Sequence, residues 1–404
     1  MWTDMWKIGV WCSSIAFVVL MSASGSSPVA AETVVEELRT LDDLVRHAVE
    51  HSPRLAALTA RVEASRESEA GARALPDPGI AATVALREVE TRVGPQYGRL
   101  SVRQTLPWSG KRDARGDVAE AEARHASERH RAARLALEAD VVTAYAELHR
   151  RSRAIEITRD NRDLVVYLEG VVRKAYENGT ATYADLMRIQ VEIGRLENDL
   201  RSLQDGLRPA RAALNALLHR QPDDPLPEPV LPELPPPLLS EDRIRAKTNE
   251  FSPDVREREA GYLVDDRAVV AADLLRRPDW TVSVDWIPTG PAVDPTTPGS
   301  GSDAWLVGVM VDLPFGAAKY DAAARVARAR RSEAAFAREA VADDVGRRVE
   351  ALLYEVRNAD REMRLYRDTL VPKARQSLEA SDTGFRAGTV SVSDLVEAQQ
   401  VLLQ

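Results

Sequence analysis

Cysteine is nearly absent from this chain of 404 residues: only Cys12 is present. It lies inside an apolar N-terminal segment and follows Gly9-Val10-Trp11, which is not the small-residue context of a lipid-modified cysteine. Once that segment is removed no thiol remains, which excludes disulfides, thiolate nucleophiles and sulfur-bound metals. Basic charge is also in deficit, with 54 Lys and Arg against 63 Asp and Glu and a formal net charge of −9. That balance opposes binding to a polyanion such as nucleic acid. Beyond the N-terminal segment no apolar run reaches the length of a transmembrane helix, so any passage through a bilayer must be made by β-strands. Proline is missing throughout Gly110 to Glu177. An unbroken helix of that length extends roughly 100 Å.

The N-terminus carries an export signal. Lys7 supplies positive charge, Ile8 to Met21 an apolar stretch, and Val29-Ala30-Ala31 a small-residue cleavage site before Glu32. A short membrane anchor is the alternative, but the length of the segment and the Ser/Gly/Ala/Pro residues after it favour a signal peptide over residues 1–31.

The rest of the chain is written twice. Lys174 to Gln190 returns as Asp382 to Gln399, with Gly179, Asp185, Leu186 and Gln190 matching Gly388, Asp394, Leu395 and Gln399 at one constant offset. His51-Ser52-Pro53 recurs as Phe251-Ser252-Pro253, Leu75-Pro76-Asp77 as Arg277-Pro278-Asp279, and Thr105-Leu106-Pro107-Trp108 as Asp312-Leu313-Pro314-Phe315. A unit this long is not a solenoid repeat; it is one structural half used twice. The halves are 32–220 and 241–404, joined by a linker over 221–240 that holds eight prolines and is expected to be stiff and to wrap the helices.

Each half begins with a helical pattern, from Thr40 to Ala74 in the first, with Pro53 near an early break and Leu75-Pro76-Asp77-Pro78 as its stop. The period then changes to two. Ile80, Ala82, Val84 and Leu86 alternate with Ala81, Thr83, Ala85 and Arg87, a return strand runs from about Tyr97 to Leu106, and Gly94-Pro95 marks the loop, which places strands at about 79–106. In the second half, at about 279–313, Trp280, Val282, Val284 and Trp286 oppose Thr281, Ser283 and Asp285, and Trp305, Val307, Val309 and Val311 form the return strand. Valines between terminal tryptophans suit a lipid-facing strand with its rings at the headgroups, so Trp280, Trp286 and Trp305 are candidate members of a membrane girdle. A soluble sandwich edge permits the same alternation; the strand lengths favour the membrane. Four strands cannot close a barrel and open edges are not tolerated in lipid, so oligomerisation is expected, and a trimer gives twelve strands.

After the hairpin and the long helix, Leu186, Ile189, Ile193, Leu196, Leu200, Leu203, Leu207, Ala210, Leu214 and Leu217 recur at alternating steps of three and four, a coiled-coil period that Pro209 should kink or divide.

An exported chain of two halves, each helix, β-hairpin and long helices, resembles the TolC family of outer-membrane efflux proteins, the outer membrane factors. The residues that carry the resemblance are Leu75-Pro76-Asp77-Pro78, the string QTLPWSGKR from Gln104 to Arg112, the duplicated Y/F-x-x-G-T turn and the D-L-x-x-x-Q after it. The resemblance implies a mostly α fold with a membrane β-barrel portion. Three copies would form a homotrimer with a twelve-stranded barrel in the outer membrane of a Gram-negative bacterium and an α-helical tunnel in the periplasm. It further implies the exit duct of a tripartite efflux pump, with outer-membrane lipid, a periplasmic adaptor protein and an inner-membrane transporter as partners. It would pass small molecules or metal ions without cofactor or catalysis. The duct of a type I protein secretion system and a non-pore periplasmic coiled-coil scaffold stay open as alternatives. The chain stops at Gln404, before the counterpart of Leu218, so its last helix is expected to lack roughly its last twenty residues, as a fragment or as a shortened helix.

By the same resemblance Asp394 and Glu397 ring the periplasmic entrance, three residues apart on one helical face, and trimer symmetry would make six charges. A solvated helix face is the plainer reading of the pair. Asn178, Gly179 and Thr180, with Ala387, Gly388 and Thr389, are the turns expected to meet the adaptor, although glycine is needed there for chain reversal alone. Related ducts hold the entrance shut with a tyrosine and an arginine where this chain has Phe385 and Val390, so closure needs other contacts. Ser109-Gly110-Lys111-Arg112 lacks the first glycine and the hydroxyl residue of a phosphate loop. His47 and His51 are one helical turn apart without the carboxylates of a metal site, and no Ser/His/Asp context supports catalysis.

Overall fold

The computed structural model describes residues 39–230 and 240–403; the expected signal segment and residues 231–239 of the linker lie outside the described residues. The first half runs α1 (Leu41–His51), α2 (Pro53–Arg73), β1 (Gly79–Val89), β2 (Gln96–Leu106), α3 (Lys111–Glu177), α4 (Tyr183–Asp205) and α5 (Leu207–Leu217). The second half repeats the order as α6 (Glu241–Phe251), α7 (Pro253–Leu274), β3 (Asp279–Ile287), β4 (Ala304–Asp312), α8 (Ala317–Leu365), a π turn (Tyr366–Leu370), α9 (Val371–Arg386) and α10 (Val392–Leu403).

The break at Pro53 is a joint. Ser52 closes α1 and caps α2, accepting from Leu55 N at 3.3 Å, while Pro53 takes the first helical position, where an N–H would have no partner. Ser252 and Pro253 rebuild the joint in the second half. Uninterrupted over 67 residues, α3 forms the long helix its sequence predicts.

Two prolines interrupt the long helices. Pro209 divides the returning helix at Gly206, about one turn upstream, because its ring obstructs the preceding turn. Pro372 has no counterpart in α3, and just before it the backbone widens into the π turn, with Val371 N donating to Tyr366 O. A single widened turn absorbs the missing donor without stopping the helix.

The four strands form one antiparallel sheet in the order β1-β2-β3-β4. The hairpins join side by side through β2 and β3, with Leu100 opposite Trp286 and Leu106 opposite Trp280, and β1 and β4 are left as free edges. Residues opposite one another share a face. One face therefore carries Ile80 and Ala82, Leu100 and Val102, Trp280 to Trp286 at every second residue, and Trp305, Val307 and Val309. The other face is more polar, although Leu306 and Met310 of β4 lie on it: the Ser101 hydroxyl donates to the Asp285 carboxylate, and Thr105 and Thr281 hydroxyls lie 3.2 Å apart. The apolar face has no cover, with Val84 75% and Val307 77% exposed, as expected of a surface made for lipid.

Three hydrophobic clusters hold the helices. Leu44 and Ala48 of α1 pack on Val141, Tyr145 and Leu148 of α3 and on Leu214 and Leu218. The start of the linker lies against this cluster: Tyr145 Oη donates to Val230 O at 3.1 Å and accepts from Val230 N at 2.9 Å. At the far end, Val165 and Val172 of α3, Ile189 and Leu196 of α4, and Val392 and Val396 of α10 form one cluster; Leu168, Leu378, Leu395 and Ala398 form its neighbour. The coiled-coil seam is thus a buried stripe, and it joins the two halves to each other.

Ion pairs bridge α7 and α8. Arg328 pairs with Asp273, Arg331 with Asp266, Arg338 with Glu259 and Arg348 with Asp254. Each pair is partly exposed and contributes about 0–1 kcal/mol, so the ladder sets the alignment of the two helices more than their stability.

Candidate functional site

The two helical turns at the far end have the same geometry. Gly179 and Gly388 both sit at φ +75°, in the left-handed region. Thr180 N and Thr389 N each reach back five residues, to Ala175 O at 2.8 Å and Gly384 O at 2.9 Å, and both threonine hydroxyls donate to the same carbonyls. The next helix then starts with a capping box. Thr182 caps α4 and Asp185 answers it, accepting from Thr182 N at 3.0 Å; Ser391 and Asp394 do the same for α10, at 3.2 Å. The repeated string G-T-x-T/S-x-x-D is therefore a chain-reversal device. Hydrogen bonds from the Thr182 side chain and backbone hold the Asp185 carboxyl below the usual carboxylate range, so its cap persists at neutral pH and is lost only as pH falls through that lowered value.

Asp394 and Glu397 are both exposed on one face of α10. They are not equivalent, because one Asp394 oxygen accepts from the Ser391 hydroxyl at 2.8 Å and from Ser391 N, as Asp185 does in the first half. Glu397 has no such duty. Arg188 stands where the first half matches Glu397, and its guanidinium donates across to the Ser393 hydroxyl.

The Phe385 and Val390 side chains offer no hydrogen bond, and Phe385 instead packs against both far-end clusters. Polar ties between the halves come from residues the sequence reading did not single out. Arg386, next to Phe385, donates to Tyr167 Oη on α3 at 2.5 Å and is held by Asp382 at 3.0 Å. Gln400 donates to the buried Glu192 at 3.0 Å. Arg386 stands next to the expected closing position Phe385, which was the available signal; nothing in the sequence pointed to Gln400 or Glu192.

At the other end, the sheet meets the helices through a clasp. Lys111 is 7% exposed, and its ammonium donates to both Asp279 oxygens at 2.9 and 3.0 Å and to Arg277 O at 2.7 Å. Trp108 N also donates to Asp279, at 2.8 Å. The Ser-Gly-Lys-Arg string is thus an anchor between halves. Trp286 and Trp305 face each other at the far end of the sheet, ring centroids 6.3 Å apart, and Trp286 Nε1 donates to Asp303. Trp280 lies six residues away along β3, or about 20 Å. The three tryptophans thus mark both rims of the apolar face.

His47 and His51 stack on each other with centroids 4.1 Å apart, and His51 Nδ1 bonds His47 O. Among the described residues no three His, Asp or Glu side chains gather as a metal site, and no helix is long and apolar enough to cross a membrane.

The sequence profile described as outer membrane efflux protein matches residues 44–219 and 251–404, one segment in each half. The chain belongs to the outer membrane efflux protein family. Solved structures agree on the fold. The outer membrane protein VceC of Vibrio cholerae is 22% identical, with 90% of each chain covered and a TM-score of 0.71. The outer-membrane channel OprN is 18% identical, covering 90% of this chain and 84% of its own, with a TM-score of 0.75. The CmeC outer membrane channel of Campylobacter jejuni is 15% identical, covering 90% and 80%, with a TM-score of 0.70. No curated protein sequence matches the chain significantly. Membership places this efflux protein in the outer membrane of a Gram-negative bacterium, with its helices in the periplasm. Its family is one of channels, not enzymes.

Proposed function

We propose that this protein is the outer-membrane exit duct of a tripartite efflux pump, conducting small molecules or metal ions passively from periplasm to exterior. Three copies close a twelve-stranded barrel, and their helices form the periplasmic tunnel. The observation that carries this reading is the sheet, which has a bare apolar face, a more polar opposite face, tryptophans at both rims and two free edges. Such a sheet satisfies its backbone in lipid only by closing with other copies. The exposed turns at Asn178-Gly179-Thr180 and Ala387-Gly388-Thr389 are the docking surface for a periplasmic adaptor, which links the duct to an inner-membrane transporter. The expected result is a heat-resistant trimer in outer-membrane fractions that conducts ions in planar bilayers; a monomer confined to the soluble periplasm would refute the duct.

In this reading Asp394 and Glu397 ring the entrance, with Glu397 as the uncommitted charge. Replacing both with Ala is expected to weaken cation selectivity and block by multivalent cations in planar bilayers. Glu397→Ala alone is expected to account for most of the effect, because the Asp394 carboxylate is already engaged by the Ser391 N–H and hydroxyl in the α10 capping box. Unchanged selectivity in the double variant would remove both carboxylates from the tunnel entrance.

A further inference from the structure

The seam between the two hairpins is a template for a second seam that one chain leaves open. At the internal seam, β2 runs out through Leu106-Pro107-Trp108 and β3 starts at Pro278-Asp279-Trp280, with Leu106 opposite Trp280. The free edges carry the same signatures in complementary places: β4 runs out through Leu313-Pro314-Phe315, and β1 is preceded by Pro76-Asp77-Pro78. Laying the second seam on the first sets Leu313 opposite the partner's Pro78. Every later pair follows: Val311 meets the partner's Ile80, Val309 the partner's Ala82 and Val307 the partner's Val84.

The pleat gives an independent check on this register. A slip of one residue would turn one strand's apolar side toward the lumen. In the inferred register, the β4 residues that lie opposite Trp280, Val282 and Val284 meet the β1 residues that lie in line with Val102 and Leu100. Apolar therefore meets apolar around the whole outer surface.

The clasp has a counterpart as well. Asp279 holds Lys111 inside the chain, whereas Asp77, its match in the first half, is exposed and has no side-chain hydrogen bond or ion pair among the described residues. On the other edge Ala318 stands at the place matching Lys111, and the adjacent Lys319 is exposed, its ammonium 5.7 Å from its own neighbour Tyr320. We propose that β4 pairs antiparallel with β1 of a second copy in this register, and that Lys319 binds the partner's Asp77 as Lys111 binds Asp279. The inference rests on the closed trimer proposed above and adds its register and its clasp.

The near-absence of cysteine makes the register testable by disulfide trapping in the full chain carrying Cys12→Ser. Opposed Cα atoms in antiparallel strands are about 4.5–5.5 Å apart, within disulfide reach, while same-face residues two positions away are about 7–8 Å apart. Val307→Cys with Val84→Cys, oxidised in membranes by a lipid-permeant copper complex, is expected to give a covalent trimer on non-reducing gels. Val307→Cys with Ala82→Cys is expected to give little. Trapping by the shifted pair alone overturns the register while the trimer stands; absence of any trimer, covalent or heat-resistant, overturns the register and the duct together. For the clasp, Lys319→Asp is expected to lower the temperature at which the trimer dissociates, and adding Asp77→Lys to restore it. Failure of the exchange to restore it overturns the clasp.

Discussion

Lys111→Met is expected to destabilise the junction between sheet and helices by about 2–4 kcal/mol, read as a lower urea midpoint of the purified protein in detergent. The ammonium is nearly sealed, at 7% exposure against 27% for the Asp279 side chain, and it serves three acceptors at once. Removing it leaves a half-buried carboxylate with only the Trp108 N–H, and leaves Arg277 O without this donor. Breaking one side of such a pair costs more than the pair contributes, because the stranded charge remains. That asymmetry gives the control: Lys111→Met with Asp279→Asn removes the charge and keeps an oxygen for Trp108 N. The double variant is expected to recover most of the lost stability. Equal midpoints for the single variant and the parent protein would mean that the clasp does not hold the two halves together.

Much of this architecture was legible because it rests on local rules. Strand alternation, the proline-free run and the three-four seam each report which face of an element is buried, and these set β1 to β4, α3 and the far-end clusters. Ser52-Pro53 and Ser252-Pro253 could be read as breaks, and their capping role follows from the same chemistry. What was not legible depends on the approach of distant elements. Lys111 and Asp279 meet only because β2 pairs with β3, and nothing in either string names the other. Arg386 and Tyr167 meet only because α9 lies against α3. Pro372 is visible in the sequence, but whether a helix breaks or widens there depends on the packing that continues past it. At the turns, the duplicated Asp185 and Asp394 marked a motif whose first duty is to cap a helix, so its recurrence by itself identifies a turn. Glu397 and Arg188, which differ between the halves, are the residues free to distinguish the two.

Arg188→Ala combined with Arg386→Ala is expected to favour the open entrance in the duct reading. In the duct reading, two kinds of contact close the far end. The apolar clusters around Leu168, Ile189, Leu378 and Leu395 also span both halves, but their contacts are non-directional and tolerate small sliding of one helix pair past the other. The hydrogen bonds from Arg188 to Ser393 and from Arg386 to Tyr167 tie first-half helices to second-half helices, so separating those pairs must break them. Each contributes about 0.5–1.5 kcal/mol. Losing both shifts the closed-to-open balance by about 1–3 kcal/mol, or roughly 5- to 150-fold. The measurement is single-channel conductance in planar bilayers, where the double variant should spend far more time in the larger conductance level. Phe385→Tyr is the complementary change: it adds a hydroxyl where related ducts place one, and without an arginine at Val390 it is expected to alter gating little. If the double arginine variant opened no more often than the parent protein, closure would have to reside in the apolar clusters, and Leu395→Ala, which empties a fully buried site, would become the variant that opens the tunnel.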